Sequence, residues 1–197
     1  MELPIFPLNG AVLFPGTSLP LNIFETRYIE MIDYALARDR KIGMIQTDEK
    51  NELFNVGCVG KINSFNETND GRYLISLHGI KCFKIINEIE QDYNFRLINA
   101  SLVELYEKEG EISKDQKESL LKLYGKYIKN KNINLSLEEI ENIETDQIIK
   151  FIAMVSPFKN IDKQALLETE SLLDFYSKLK SIIELELIGD FENKTIN

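Results

Sequence analysis

The chain has 197 residues, of which 44% are hydrophobic and 28% charged, with 10 glycines and 5 prolines. This composition is typical of a globular chain with one large or two small domains, and it excludes extensive disorder. No apolar run reaches the roughly 18 residues of a membrane-spanning helix, and the start, MELPIFPLNG, lacks the basic and apolar regions of a secretory signal. We therefore expect a soluble cytoplasmic protein.

The excess of acidic residues argues against nucleic-acid binding. The chain carries 23 Lys and Arg residues against 32 Asp and Glu, a net charge of −9. Nucleic-acid binding depends mainly on neutralising phosphates with basic side chains, so a chain this acidic would need a concentrated basic patch. The tightest basic cluster consists of Lys122, Lys126, Lys129 and Lys131. Helical spacing favours a solvated helix face as its interpretation, with an RNA-binding stripe as the alternative.

The N-terminal part begins with extended segments and one helix. Residues 3–8 alternate apolar side chains and contain two prolines, which suits an edge strand. Residues 14–16, Phe-Pro-Gly, predict a turn, and residues 19–24 resume an extended apolar run. Apolar residues then recur at helical spacing over residues 28–36, which predicts an amphipathic helix of about three turns. Thr26 is expected to cap that helix.

Five more strand-like segments follow, at residues 42–46, 56–63, 73–77, 80–86 and 93–105. Asp70-Gly71 predicts a hairpin turn because this dipeptide readily adopts positive φ. Gly79 interrupts the next apolar run and predicts a bulge or bend. About seven short strands with a single helix favour a small closed or half-closed β-barrel over a parallel sheet.

Helical periodicity dominates after residue 110. It predicts five helices, which begin near Ser113, Ser136, Thr145, Ile161 and Ser171. Ser113 with Gln116 and Ser136 with Glu139 form capping boxes, and Gly189 is expected to close the last helix. Short links between the helices indicate a compact bundle. The predicted fold class is therefore α+β, with a barrel subdomain at residues 1–110 and a helical bundle subdomain at residues 111–197.

Residue types that support catalysis or metal binding are sparse. Cys58, Cys82 and His78 lack the paired spacing of a structural zinc site. A catalytic Cys–His pair is one interpretation, but all three residues lie in strand-like sequence, where a small apolar cysteine usually packs in the core. A Ser-His-Asp triad would have to use His78. The chain has no phosphate-binding loop, no G-x-G-x-x-G and no G-x-S-x-G motif. We therefore expect no catalytic residue, no cofactor and no metal.

Five stretches of the first 106 residues form a specific pattern: LPIFPLNGAVLFPGTSLPLNIFETRYIEMIDYAL, IGMIQ, VGCVGKI, DGRYLISLHGIKCFKI and YNFRLINASLVEL. Together they resemble the N-terminal substrate-binding domain of the Lon protease family. The helical part, with SPFKNIDKQALLE at residues 156–168, resembles the helical extension of that family. At position 26 the family usually has proline, and Thr26 departs from this pattern.

The resemblance implies a PUA-like barrel, which is a small bent β-barrel, followed by a helical bundle. It also implies a module that recognises unfolded or tagged polypeptides without cleaving them, and a separate Lon-type protease as a partner. Full-length members add an ATPase and a serine–lysine protease, whose motifs this chain lacks, so we expect a stand-alone domain that is not an enzyme. The alternative is an RNA-binding PUA-like protein. Neither nucleic acid nor a membrane is expected as a partner.

The candidate polypeptide-binding residues lie around the predicted turn and the start of the predicted helix. They are Phe14, Pro15, Gly16, Phe24, Arg27 and Tyr28. A polypeptide-binding surface requires an exposed apolar groove or a free strand edge. The alternative is structural: the Phe-Pro-Gly motif sets a turn, and Phe24 and Tyr28 belong to the core.

Overall fold

The computed structural model describes residues 1–105, 111–138, 140 and 143–195, which form an α+β fold with six strands and five helices. The strands are β1 (Glu2–Leu8), β2 (Ser18–Ile23), β3 (Lys41–Gln46), β4 (Val56–Glu67), β5 (Tyr73–Glu88) and β6 (Arg96–Val103). The helices are α1 (Thr26–Leu36), α2 (Lys114–Asn130), α3 (Thr145–Val155), α4 (Asn160–Leu167) and α5 (Leu172–Thr195). None of the helices in the described ranges combines the length and apolar character needed to cross a bilayer.

The six strands form one sheet in the order β2-β5-β4-β3-β1-β6. β1 and β3 are parallel, and the other pairs are antiparallel. β5 is long enough for two further neighbours besides β4. Its first half pairs with β2, and its second half pairs with β6.

The predicted interruption at Gly79 is a bulge within one strand. In the pairing of β4 with β5, Val59 lies opposite Lys81 and Gly60 lies opposite Gly79, so Ile80 is an extra residue. Because a bulge bends a strand without ending it, the two segments predicted at 73–77 and 80–86 are one strand. The described residues therefore form six strands instead of the predicted seven, because β5 was counted as two.

The last strand begins three residues later than predicted. Residues 93–95 form a bend in which the Gln91 side chain contacts the main chain at both ends, accepting from the amide of Tyr93 and donating to the carbonyl of Phe95. The Tyr93 and Phe95 rings stack with centroids 4.9 Å apart. Both rings also meet Tyr34 of α1 edge-on. The alternation of apolar residues predicted a strand over residues 93–95. The Tyr93 and Phe95 rings instead pack against Tyr34 of α1, and the strand begins only after them.

The helix α1 begins at Thr26, with Glu25 in the N-cap position and no side-chain capping hydrogen bond. The expectation that Thr26 caps the helix was therefore wrong. The buried face of α1 consists of Tyr28, Met31, Ile32 and Ala35, as the helical spacing predicted. Between the strands, a fully buried cluster forms the core; it includes Leu3, Ile5, Ile45, Val59, Phe83 and Ile98.

The chain divides into two compact units. The first comprises Met1–Leu105 with Ser156–Glu168, and the second comprises the intervening and the C-terminal helices. A buried amide pair fastens α4 to the strands of the first unit. Gln46 donates to the side-chain oxygen of Gln164 (3.1 Å), and Gln164 donates to the carbonyl oxygen of Val56 (3.0 Å). The sequence analysis grouped α4 with the other C-terminal helices on the basis of helical periodicity. Periodicity identifies a helix but does not show which surface the helix packs against.

In the second unit, the cap of α2 is confirmed. The Ser113 hydroxyl accepts from the Gln116 amide (3.2 Å), and the Gln116 side chain accepts from the Ser113 amide (2.8 Å). The predicted end of α5 at Gly189 was wrong, because the helix continues to Thr195. The helix predicted to begin near Ser136 is not seen in the described residues 136–138, 140 and 143, which are not helical. The boundary near residue 110 and Glu139 of the second capping box lie outside the described residues.

Candidate functional site

The turn at residues 14–17 is fastened both internally and to β5. Gly16 has φ +81°, a value that glycine adopts without strain, and it follows Pro15 as in a type II turn. The Thr17 hydroxyl donates to the Phe14 carbonyl (2.8 Å) and accepts from the Phe14 amide (3.3 Å). The Gly16 amide donates to the Gly79 carbonyl (2.9 Å), and the Gly79 amide donates to the Thr17 carbonyl (2.8 Å). These bonds give the turn a fixed position at the bulge of β5.

Two of the six candidate binding residues are core residues. Phe14 is completely buried, and Tyr28 is 8% exposed with its ring 4.3 Å from that of Phe6. Burial raises the pKa of the Tyr28 phenol, and the neighbouring Arg27 guanidinium opposes this shift. Neither ring can reach a ligand in this structure, so the expectation of a contact role for Phe14 and Tyr28 is corrected to a structural role.

The other four candidates are accessible. Pro15 is half-buried and Gly16 is exposed at the tip of the turn. Phe24 is 65% exposed, although the residue before it, Ile23, is buried. The Arg27 side chain is about half exposed; it pairs with Glu25 at 2.8 Å. The Arg27 guanidinium lies 4.5 Å from the centroid of the Tyr28 ring. The accessible residues therefore supply an exposed aromatic ring at Phe24 and a cation at Arg27, three positions apart in the chain.

Phe24 immediately follows β2, which is an edge of the sheet. β2 pairs with β5 on one side and is the terminal strand at one end of the order, so within the described residues its other edge has no partner strand. Its sequence, SLPLNI, contains no charged residue. Natural edge strands are commonly protected by charged side chains or by proline; β2 has Pro20 but no charge, so most of its edge can still pair with another extended chain.

Sequence reasoning missed two exposed apolar residues near this edge. Leu74 is 43% exposed and lies opposite Asn22 in the pairing of β2 with β5. Phe65 is 42% exposed, with its ring 4.8 Å from that of Tyr73. The signal for Leu74 was its position in the strand, because it is out of phase with the alternating buried positions Ile75 and Leu77. An apolar residue on the outward phase of a half-buried strand indicates an exposed apolar surface.

The cysteines form no reactive arrangement. Cys58 and Cys82 lie opposite each other on β4 and β5, and both are buried. Burial, together with contact with Cys82, raises the pKa of the Cys58 thiol well above its usual range. Since the thiolate is the nucleophile, this environment suppresses reactivity. His78 lies opposite Lys61, with its Nδ1 3.1 Å from the Ser18 hydroxyl.

Where the chain is described, the contact between Ser18 and His78 starts no acid–base chain and ends at these two residues. Among the described residues, no carboxylate hydrogen-bonds to the second ring nitrogen of His78, so the third member of a Ser-His-Asp arrangement is missing there. The same part of the chain contains no group of three or more His, Cys, Asp or Glu side chains able to hold a metal ion.

Comparison with known proteins gives a consistent result. The model of the ATP-dependent protease La (LON) substrate-binding domain matches residues 2–185. The Lon protease of Desulforamulus reducens is 29% identical over 206 residues, covering 98% of this chain and 25% of the protease. Lon protease 1 of Bacillus subtilis is 25% identical, covering 94% of this chain and 26% of the protease. The chain thus spans about a quarter of the length of the curated relatives it matches.

Two solved structures share the fold. The Lon N-terminal domain protein from Xanthomonas campestris superposes with a TM-score of 0.64 at 20% identity, covering 93% of this chain and 98% of the other. The N-terminal domain of the Mycobacterium avium complex Lon protease gives a TM-score of 0.66 at 18% identity, with the same coverage.

Proposed function

The chain belongs to the family of Lon substrate-binding domains, and from this premise we propose that it recognises unfolded or tagged polypeptides without cleaving them. The observation that carries the proposal is Phe24, which is 65% exposed at the end of an uncharged strand edge that no other described strand pairs with. A large apolar side chain on the surface beside a free edge suits an extended chain with apolar residues. Polypeptides are therefore the proposed partners, bound in the cytoplasm, with no cofactor or nucleic acid.

Within the proposal, the contact roles differ between the candidate residues. Phe24 supplies apolar contact, and Leu74 extends that contact along the edge. Arg27 is available for a carboxylate of the bound chain, because its ion pair with Glu25 is solvent-exposed and easily exchanged. Pro15 and Gly16 form the accessible rim of the turn.

The finer architecture is part of the same proposal. A PUA-like barrel is supported by β5, which pairs with β4 from Tyr73 to Lys84 and with β6 through its second half. Within the series β5-β4-β3-β1-β6, each strand therefore pairs with two others of the series. A helical bundle after residue 110, without α4 of the first unit, is supported by the ion pair between Lys131, after α2, and Glu186 of α5 (2.7 Å). The partnership with a Lon-type protease is supported by the relatives, in which a matching segment is part of a protease.

The experiment compares two equally exposed apolar residues of the same unit. Phe24→Ser is expected to weaken binding of a reduced, carboxymethylated model protein by about tenfold or more, as loss of an interface anchor does. Ile86→Ser is the matched control, because Ile86 is 64% exposed but lies where β5 pairs with β6. Both variants should keep the wild-type melting temperature. Binding is measured by fluorescence anisotropy.

Three results would contradict the proposal. One is that the wild-type chain fails to bind the unfolded protein. Another is an equal loss of affinity in the Ile86→Ser control, which would mean that any exposed apolar residue serves. The third is capture of RNA alone from a cell extract, with recovery falling steeply as salt is raised. Phe14→Ser provides a contrast, because loss of this buried ring should lower stability by about 3–5 kcal/mol.

A further inference from the structure

The main-chain groups on the free edge of β2 can be assigned from its pairing with β5. Ser18 lies opposite His78, and one residue earlier the Thr17 carbonyl accepts from the Gly79 amide (2.8 Å). In an antiparallel pair, alternate residues turn both main-chain groups towards the partner strand. Leu19, Leu21 and Ile23 therefore continue the phase of Thr17 and point to β5.

Ser18, Pro20 and Asn22 consequently point their main-chain groups away from β5. The side chains of Ser18 and His78 meet at 3.1 Å, which fits this assignment because side chains approach more closely at pairs that exchange no main-chain hydrogen bonds. The free edge thus offers carbonyl oxygens at three positions. It offers amide hydrogens only at Ser18 and Asn22, since proline has none.

We propose that this free edge binds one extended polypeptide segment as an added strand, held by main-chain hydrogen bonds to Ser18, Pro20 and Asn22. The inference rests on the proposed function and adds its mode of recognition. The occupant follows from the chemistry of the edge: alternating amides and carbonyls at strand spacing are matched by an extended main chain. The strand has no charged side chain, so its main-chain hydrogen bonds do not select a client sequence, and the preference for apolar residues comes from Phe24 and Leu74.

Pro20 lowers the affinity of this edge for an added strand, because it lies at one of the three outward-facing positions. Proline removes a donor without breaking the β2–β5 ladder, because the missing amide would have pointed outward. A bound strand would therefore lose one hydrogen bond at its centre. The consequence is weak, reversible binding. Substitutions at Pro20 and Asn22 should therefore change the affinity for an extended chain in opposite directions.

The experiment restores one donor and removes another. Pro20→Ala adds an outward amide with a smaller side chain, and should tighten binding of the reduced, carboxymethylated model protein by about 3- to 10-fold, the value of one hydrogen bond. Asn22→Pro removes an outward amide, and should weaken binding by a similar factor. Asn22→Ala is the matched control, because it keeps the amide and loses only the side chain. Melting temperatures confirm that each variant folds.

A peptide probe tests the same inference without altering the protein. An unstructured ten-residue peptide is compared with the same peptide N-methylated at alternate positions, and the methylated form should bind at least several-fold more weakly. The inference is overturned if the wild-type chain binds the unfolded protein but neither Pro20→Ala, Asn22→Pro nor N-methylation changes the affinity; the proposed function would then survive. It is also overturned if Pro20→Ala forms a dimer by sedimentation without a gain in peptide affinity, since the occupant would be a second copy.

Discussion

The amide of Gly16 donates a 2.9 Å hydrogen bond to the carbonyl oxygen of Gly79, which joins the turn before β2 to the bulge of β5. The two glycines serve different purposes. Gly16 adopts a φ of +81°, whereas Gly79 leaves room for the main chain of the turn. A Cβ at position 79 would lie 2.2 Å from the carbonyl oxygen of Phe14. The position of the β2 edge therefore depends on a residue about 60 positions away in sequence.

Gly79→Ala is expected to destabilise the protein by about 1–3 kcal/mol, because backbone must move to admit the new methyl group. The measurement is urea-induced unfolding at neutral pH. The variant should also bind unfolded polypeptide more weakly in folded conditions, since the turn and β2 shift together.

Gly189→Ala is the control for this prediction. Gly189 lies within α5, and a Cβ there would meet no heavy atom within 4 Å. Replacing a helical glycine with alanine should leave stability unchanged or raise it by up to about 1 kcal/mol. If Gly79→Ala behaved in the same way, the close approach to Phe14 would not constrain the fold.

The buried amides of Gln46 and Gln164 should show coupled effects on stability. Gln164→Leu removes the donor to the Val56 carbonyl and the acceptor for the Gln46 amide. Each buried polar group left without a partner costs about 1–3 kcal/mol. We expect a lower midpoint of urea unfolding with an unchanged dependence on urea concentration.

The double variant Gln46→Leu/Gln164→Leu separates pairing from burial. Gln46→Leu leaves the Gln164 side chain with an unmatched acceptor, but the double variant removes both halves of the pair. Its destabilisation should be smaller than the sum of the single effects by about 0.5–3 kcal/mol. Strict additivity would show that the two side chains act independently.

The ion pair of Glu88 with Arg96 should make a pH-dependent contribution to stability. Arg96 donates to both carboxylate oxygens of Glu88, at 2.9 and 2.7 Å. These bonds lower the pKa of Glu88, with burial opposing the shift. A carboxyl group whose pKa is lower in the folded state stabilises the protein above its unfolded pKa, and this contribution is lost as pH falls through the folded pKa.

Glu88→Gln should therefore destabilise the protein at pH 7 and lose this effect in acid, below the ordinary pKa range of glutamate. Both side chains are nearly half exposed, so the difference at neutral pH should be at most about 1 kcal/mol and should shrink with added salt. Glu90→Gln serves as the control, because Glu90 is exposed and has no ion pair in the described part of the chain. A Glu88→Gln effect that is constant with pH would refute the assignment.

Local patterns in the sequence were sufficient for most individual elements. Helical spacing identified the buried face of α1, and the capping box at Ser113 identified the start of α2. Such features involve residues a few positions apart, so their physical cause is contained in a short segment. Gly189 was misleading because glycine permits a helix end but does not require one.

The family could also be identified from the sequence, because the motifs around the Phe-Pro-Gly turn are specific and nearly contiguous. The solvent accessibility of individual residues could not be predicted from the sequence. Phe14 and Phe24 both stand beside turn or strand signals, yet one is completely buried and the other is 65% exposed. The difference arises from the long-range bonds to Gly79 and from the neighbours of β2 in the sheet. Apolar character is a property of the residue, but burial depends on which distant segments pack against it, and that was decided by tertiary structure alone.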